Sequence, residues 1–329
     1  MKALVYTAER EVTYRDEPEP DGRAGDALIS IETVGICGSD MHAWLGHDPR
    51  RVPPLILGHE AVGRVLEGSE PGKRVVLNPL ITCGSCDYCL GGRQNLCPER
   101  DLIGMYRPGA FAEQIAIPER NLIPVPDGLD STRAALTEPG ATALHAVTLA
   151  ERSLTRPVSE TRALVIGSGS VGLLTALVLR DKGAVSVEIS ETNGLRRETV
   201  LTHTDIPVRD PSTDPLPDNG YDLVFDAVGG EVTRNAAVSA VRPGGVIVHI
   251  GLMDNRGEMD IRRMTLQEIT FIGCYTYSPL DLRVTLSKIH QGALGDLGWI
   301  ETRPLTEGGP AFNDLHAGLC GSPKIVLTL

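Results

Sequence analysis

Cys83, Cys86, Cys89 and Cys97 stand in the pattern C-x2-C-x2-C-x7-C. Four thiolates this close together complete a tetrahedral shell, so the stretch reads as a lobe folded around one structural Zn²⁺. Two disulfides are the competing reading. They fit a secreted chain, whereas the N-terminus, M1KALVYTAEREV12, is a strand-like alternation cut by charges, without the apolar stretch and cleavage site of a secretory leader. In a cytoplasmic chain a thiol-rich segment binds metal more often than it pairs. Any fold of this sequence must carry the segment as an excursion that closes on itself.

A second metal site is expected upstream. G35ICGSDMHAW44 and P54LILGHEAVG63 supply Cys37 and His59, a soft thiolate and an imidazole of the mix that Zn²⁺ prefers. They come from segments far enough apart to leave a coordination position open to substrate, and an open position means chemistry.

Composition narrows the class. With 329 residues, 41% of them hydrophobic, the chain exceeds one ordinary core, and two domains are expected. A net charge of -12, from 31 Lys+Arg against 43 Asp+Glu, gives no basic face for nucleic acid. The longest apolar run, A163LVIGSGSVGLLTALVL179, is interrupted by glycine and serine and falls short of the roughly 20 residues of a bilayer span. It reads as a buried strand, a turn and a helix, so no membrane is expected and cytoplasmic residence is.

Residues 1–130 mix β-branched runs with Gly and Pro breaks at 26–35, 60–67, 73–80 and 111–118, as strands of a compact barrel would, with the cysteine lobe at 80–100. From residue 131 helical patterning appears, and strands alternating with helices through 275 carry the signature of parallel βαβ units. Residues 276–329 return to isolated strands and short helices that pack back on the first part.

Within the parallel region lies G167SGSVG172, directly after an apolar strand and opening a helix. Gly167 permits the tight turn, Gly169 lets a pyrophosphate approach the backbone, and Gly172 allows close helix packing, while the helix N-terminus faces the anion. The acid that ends the next strand selects the cofactor. Glu191 is placed to accept from a ribose 2′-OH and to repel a 2′-phosphate, favouring NAD over NADP, and Glu188 reads as a solvated strand residue. Arg196 and Arg197 cut the other way, since either could pair with a 2′-phosphate; alternatively one lies over the adenine and the other is solvated.

The order of motifs C37GSDMHAW44, G58HE60, the four-cysteine lobe, E138PGATALHA146, G167SGSVG172 and D226AVG229 resembles the zinc-dependent medium-chain alcohol dehydrogenases, and among them the sorbitol (polyol) dehydrogenase branch, over nearly the whole chain. The resemblance implies an α/β fold: a GroES-like β-barrel catalytic domain, interrupted by a Rossmann domain with a doubly wound parallel sheet. It implies a catalytic Zn²⁺ held by Cys37 and His59, with Glu60 and Glu138 as acidic members of the shell, directly or through water. Asp40 resembles the carboxylate that orients the ligand histidine. Ser39 and His42 match a proton relay through the cofactor ribose to solvent. The implied reaction is reversible oxidation of an alcohol to a carbonyl, with zinc as Lewis acid and hydride passing to C4 of the nicotinamide. Further cofactor contacts are expected at Ser170, Val171, Val228, Ile250 and Gly251, and the assembly as a homodimer or homotetramer.

The implied substrate is a small secondary alcohol or polyol, met by Ser39, Trp44 and Thr276. Trp44 agrees with the branch motif C-G-S-D-x-H-x-W, but Ala43 replaces a family tyrosine and Thr276 stands where sorbitol dehydrogenases carry an arginine. Both changes leave room for something other than sorbitol. A threonine- or sugar-phosphate-type dehydrogenase of the same superfamily is the alternative. A non-catalytic, crystallin-like cofactor-binding scaffold would have lost catalytic ligands, and Cys37, His59, Glu60 and Glu138 are all present. His47, His145, His203, His249, His290 and His316 read as structural histidines, and Cys274 and Cys320 as buried thiols.

Overall fold

The computed structural model describes all 329 residues. In its first third, strand Asp26–Gly35 alternates buried and half-exposed side chains, the period of a sheet with one face inward. It is the hub of a seven-stranded sheet that runs Leu122–Pro124, Arg74–Leu77, Glu60–Glu67, Asp26–Gly35, Lys324–Thr328, Ile300–Pro304, with Gln114–Pro118 also paired to the hub. A three-stranded sheet of Glu11–Asp16, Lys2–Ala8 and Leu55–Ile56 completes the barrel-like half. The last strand thus comes home across about 290 residues, with Val326 facing Gly35 and Gly35 facing Glu60 in register.

The middle of the chain forms six parallel strands in the order Val208–Arg209, Ser186–Ser190, Arg162–Ile166, Tyr221–Asp226, Val241–His249, Thr270–Gly273. Tyr221–Asp226 is buried at every position, as expected of a strand covered on both faces. Alternate residues of these strands feed different cores: Ala163, Val165, Leu223 and Phe225 join one, Leu164, Ile166, Val224 and Ile247 another. Helices therefore lie on both sides, and the doubly wound sheet expected from the sequence is what forms. Its strand order reverses next to Arg162–Ile166, which opens a crevice at the carboxyl ends of the strands. No helix is long and apolar enough to cross a membrane.

The short pair Leu80–Ile81 and Asp101–Leu102 closes the base of the cysteine lobe. Helix Thr137–Ser153 leads from the barrel to the parallel sheet, and helix Pro279–His290, capped by Ser278 and Asp281, leads back.

Candidate active site

Cys37 is the N-cap of helix Gly38–Trp44, and Asp40 reaches back to accept from its backbone N–H at 3.0 Å. That capping bond fixes Asp40, fully buried, with Oδ1 3.4 Å from Nδ1 of His59. The contact is not aligned as a hydrogen bond. Nε2 of His59 turns the other way, 3.4 Å from Oγ of Ser39. Ligand atoms of Cys37, His59 and Glu60 all fall within 4.8 Å of one another.

Glu60 is fully buried and takes both oxygens to Nζ of Lys324, at 2.8 and 2.5 Å. Lys324 precedes Val326 by two on the returning strand, hence on the same face, which is how the register delivers it. Glu138 sits in the first turn of helix Thr137–Ser153 and accepts at 3.0 Å from the hydroxyl of Tyr277. Burial, with Glu60 nearby, pushes its carboxyl up to about 7. Glu138 lies outside the tight Cys37–His59–Glu60 group. Burial alone would strip a proton from His59, but Asp40 and Cys37 hold its pKa well above the ordinary value. A half-buried thiol, a buried imidazole and buried carboxylates that draw in a proton are the donor set and the charge that a divalent cation satisfies, so these residues fit Zn²⁺.

Arg51, Lys324 and Tyr277 were not legible as site residues. Arg51 is 3% exposed, donates to Asp48 at 2.7 Å and to the Gly104 carbonyl at 2.8 Å, and reaches the Ser39 hydroxyl at 3.3 Å. Only the oddity of a lysine opening an apolar final strand could have flagged Lys324.

In the lobe, the sulfurs of Cys83 and Cys89 are 3.8 Å apart and those of Cys97 and Cys83 3.6 Å. Disulfides need about 2.05 Å. Tetrahedral thiolates at about 2.3 Å from Zn²⁺ stand roughly 3.8 Å apart, so the geometry fits the metal. The backbone N–H groups of Ser85 and Cys86 bring the Cys83 thiol down to about 6, poised as thiolate.

At the nucleotide loop, Gly167 adopts φ +92°, and a side chain there would meet Val228 at 2.6 Å. A Cβ on Gly172 would collide with the Gly167 carbonyl. Gly169 caps helix Ser170–Asp181, with no protein atom within 4 Å of a Cβ built there, leaving an approach for an anion. Glu191 is buried and clamps the loop, accepting from the Ser168 N–H and hydroxyl, both at 2.9 Å, and from Asn193 N–H at 2.8 Å. Asp226 draws the opposite wall together by accepting from the N–H groups of Val228 and Gly229, while its carbonyl accepts from Ile250 and Gly251.

Some expectations need correction. Trp44, the seventh residue of its short helix, is 3% exposed and packs on Phe312 and His316 with ring centroids at 6.0 and 5.4 Å. Glu188 is not solvated but bonded to Arg209 at 2.6 Å and Tyr221 at 2.7 Å. Arg197 is tied to Asp210 and to the carbonyls of Glu191 and Thr192, so it is neither solvated nor free for a phosphate. Arg196 keeps a buried Nε with no partner. Cys320 is buried as expected, and Cys274 half-buried. His145 and His249 are structural, held by Asp281 at 2.9 Å and Asp226 at 3.1 Å.

Comparison with known proteins adds the following. The family model "Alcohol dehydrogenase GroES-like domain" matches residues 23–127, and "Zinc-binding dehydrogenase" matches residues 171–291. The chain is 32% identical over 295 residues to L-galactonate-5-dehydrogenase of Escherichia coli (strain K12), covering 85% of each. It is 31% identical over 335 residues to L-threonine 3-dehydrogenase of Streptomyces coelicolor, covering 96% of this chain and 94% of the relative. Among solved structures it superposes with TM-score 0.89 and 27% identity on a zinc-binding dehydrogenase from Sinorhizobium meliloti 1021 bound to NADP, covering 100% of this chain and 99% of that one.

Proposed function

The chain belongs to the zinc-binding medium-chain alcohol dehydrogenases, and we propose that it oxidises, reversibly, a secondary alcohol carrying further hydroxyls, with NAD as hydride acceptor. One observation carries the reading: Cys37, His59 and Glu60 converge within 4.8 Å beside the Ser39 hydroxyl.

When bound, Zn²⁺ supplies Lewis-acid polarisation and NAD supplies the hydride acceptor. Cys37 and His59 hold the metal, with Glu60 and Glu138 as the acidic groups around it, and Asp40 orients His59. Ser39 accepts the proton of the substrate hydroxyl and hands it towards His42. Burial first, and then His47, keep the His42 pKa below the ordinary value, so it is a neutral acceptor at neutral pH. Lys324 neutralises Glu60, and the Tyr277 hydroxyl donates to Glu138.

Gly167, Gly169, Ser170, Val171 and Gly172 cradle the pyrophosphate, Glu191 and Arg196 flank the adenosine ribose, and Val228, Ile250 and Gly251 line the far wall. Glu191 favours NAD, since a 2′-phosphate would meet it at like charge. The NADP of the Sinorhizobium relative makes this an explicit test: calorimetric titration should show tighter NADH, and tighter NADPH would hand control to Arg196.

Relatives named for L-galactonate and L-threonine support a hydroxylated substrate. The deciding experiment is an NAD-reduction screen across polyols, sugar acids, secondary alcohols, amino alcohols and sugar phosphates. Preference for ethanol or another simple primary alcohol would refute the reading. We take residues 1–130 and 276–329 as the catalytic part and 131–275 as the cofactor part, in a cytoplasmic homodimer or homotetramer. The outer edge of strand Thr270–Gly273 and the exposed Leu252, Met253 and Leu266 support association, which light scattering would measure.

A further inference from the structure

We propose that Asn95 and Arg100 of the four-cysteine lobe are positioning residues for the turn Tyr275–Tyr277, so that the lobe sets the wall of the substrate pocket contributed by the other half of the molecule. Thr276, the residue expected to meet substrate, has φ +46°. For a β-branched side chain that conformation is an outlier that persists only where the surroundings over-determine it.

The surroundings do so from both sides. Tyr277 is 2% exposed and donates to Glu138 at 3.0 Å, which anchors the far end of the turn. The near end is anchored by the lobe. Asn95 Nδ2 donates to the Tyr275 carbonyl at 2.8 Å across 180 residues of sequence, and the Arg100 guanidinium lies 5.0 Å from the centroid of the Tyr275 ring. Both residues are themselves fixed by the cysteines. Asn95 is 4% exposed, in the single turn Gln94–Leu96 between Cys89 and Cys97, and Arg100 bonds the Cys97 carbonyl at 2.9 Å.

Held between these anchors, Thr276 keeps its Oγ1 buried with no partner. An unpaired buried hydroxyl carries a cost that a hydrogen-bonding group would relieve, so the strained turn holds a polar atom still without a partner.

The proposal rests on the dehydrogenase reading for its kinetic arm only. The zinc-replete full-length enzyme is compared with Asn95→Asp, which keeps the shape and loses the donor, in the wild-type and Thr276→Gly backgrounds. The substrate is the best polyol or sugar acid from the screen. Asn95→Asp should raise KM about tenfold and change kcat by no more than about threefold, with metal content and NADH affinity unchanged. Amide exchange across 274–278 should speed up while that of 86–97 does not. In the Thr276→Gly background, where no φ penalty is left to hold, the same substitution should change KM by no more than about threefold.

Unchanged KM and exchange would overturn the proposal, as would an equal effect in both backgrounds, which marks plain adhesion between domains. Loss of the lobe zinc in Asn95→Asp would overturn it too, by assigning Asn95 to the integrity of the lobe. If nothing is oxidised by the wild type, the exchange arm alone decides, and the failure belongs to the dehydrogenase reading.

Discussion

The two metal-fitting clusters are built in opposite ways. The lobe takes all four donors from one stretch, on turns closed by a two-strand clasp, and its sulfurs alone suffice. The Cys37 centre gathers donors from separate segments, mixes thiol, imidazole and carboxylate, and is balanced by Lys324 from the last strand. The first is local and complete, hence suited to stability. The second is dispersed and incomplete, which is what a site open to substrate requires.

Four measurements would break or sharpen this contrast. The largest effect is expected from Cys37→Ser, which should lower kcat/KM by on the order of 10³-fold, the several kcal/mol of a lost Lewis-acid centre, while elemental analysis falls from two zinc ions per chain to one. Cys89→Ser should instead lose the lobe metal and thermal stability first. A fully active wild type with one zinc would collapse the contrast at once.

Next comes Lys324→Met, which leaves Glu60 buried and unpaired; denaturant titration should show about 3–5 kcal/mol of lost stability. A loss under 1 kcal/mol would mean that metal, not lysine, balances Glu60.

In metal-stripped protein the clusters should respond to pH with opposite sign. Glu138 is raised from an ordinary 4.5 to about 7, so its contribution is present below 4.5 and disappears as pH rises through 7, about 3 kcal/mol in all. Cys83 is lowered from 9.0 to about 6, so its contribution is present above 9 and disappears as pH falls through 6. Urea midpoints from pH 4 to 9 read both, and Glu138→Gln should abolish only the first. The smallest effect is Glu191→Ala, which should narrow the NAD preference about tenfold, read as the NADH/NADPH affinity ratio.

What the sequence disclosed follows the same division. The cysteine spacing, the glycine loop and most strands were legible because each depends on neighbours within a few residues. The packing of Trp44 was not legible, because its motif position says nothing about which way a short helix faces once Phe312 arrives from the far end of the chain. Lys324, Tyr277 and Asn95 were invisible for a related reason: each acquires its role from a partner well over a hundred residues away, at Glu60, Glu138 and Tyr275.

The returning strand has a consequence for how the molecule is made. As the chain emerges during synthesis, the parallel sheet has all its strands well before Lys324–Thr328 appears, so it can form while the barrel still lacks the strand that pairs with Thr33–Gly35. Until then Glu60 lacks the Lys324 counter-charge, and the hub strand, covered over 26–30 by Gln114–Pro118, shows an open edge at Thr33–Gly35 of the kind that invites pairing with another nascent chain. The barrel half is thus the last part of the molecule to be finished although it is the first to be translated. Chaperone dependence and ribosome-stalled aggregation should therefore map to residues 26–67 and not to the nucleotide-binding sheet.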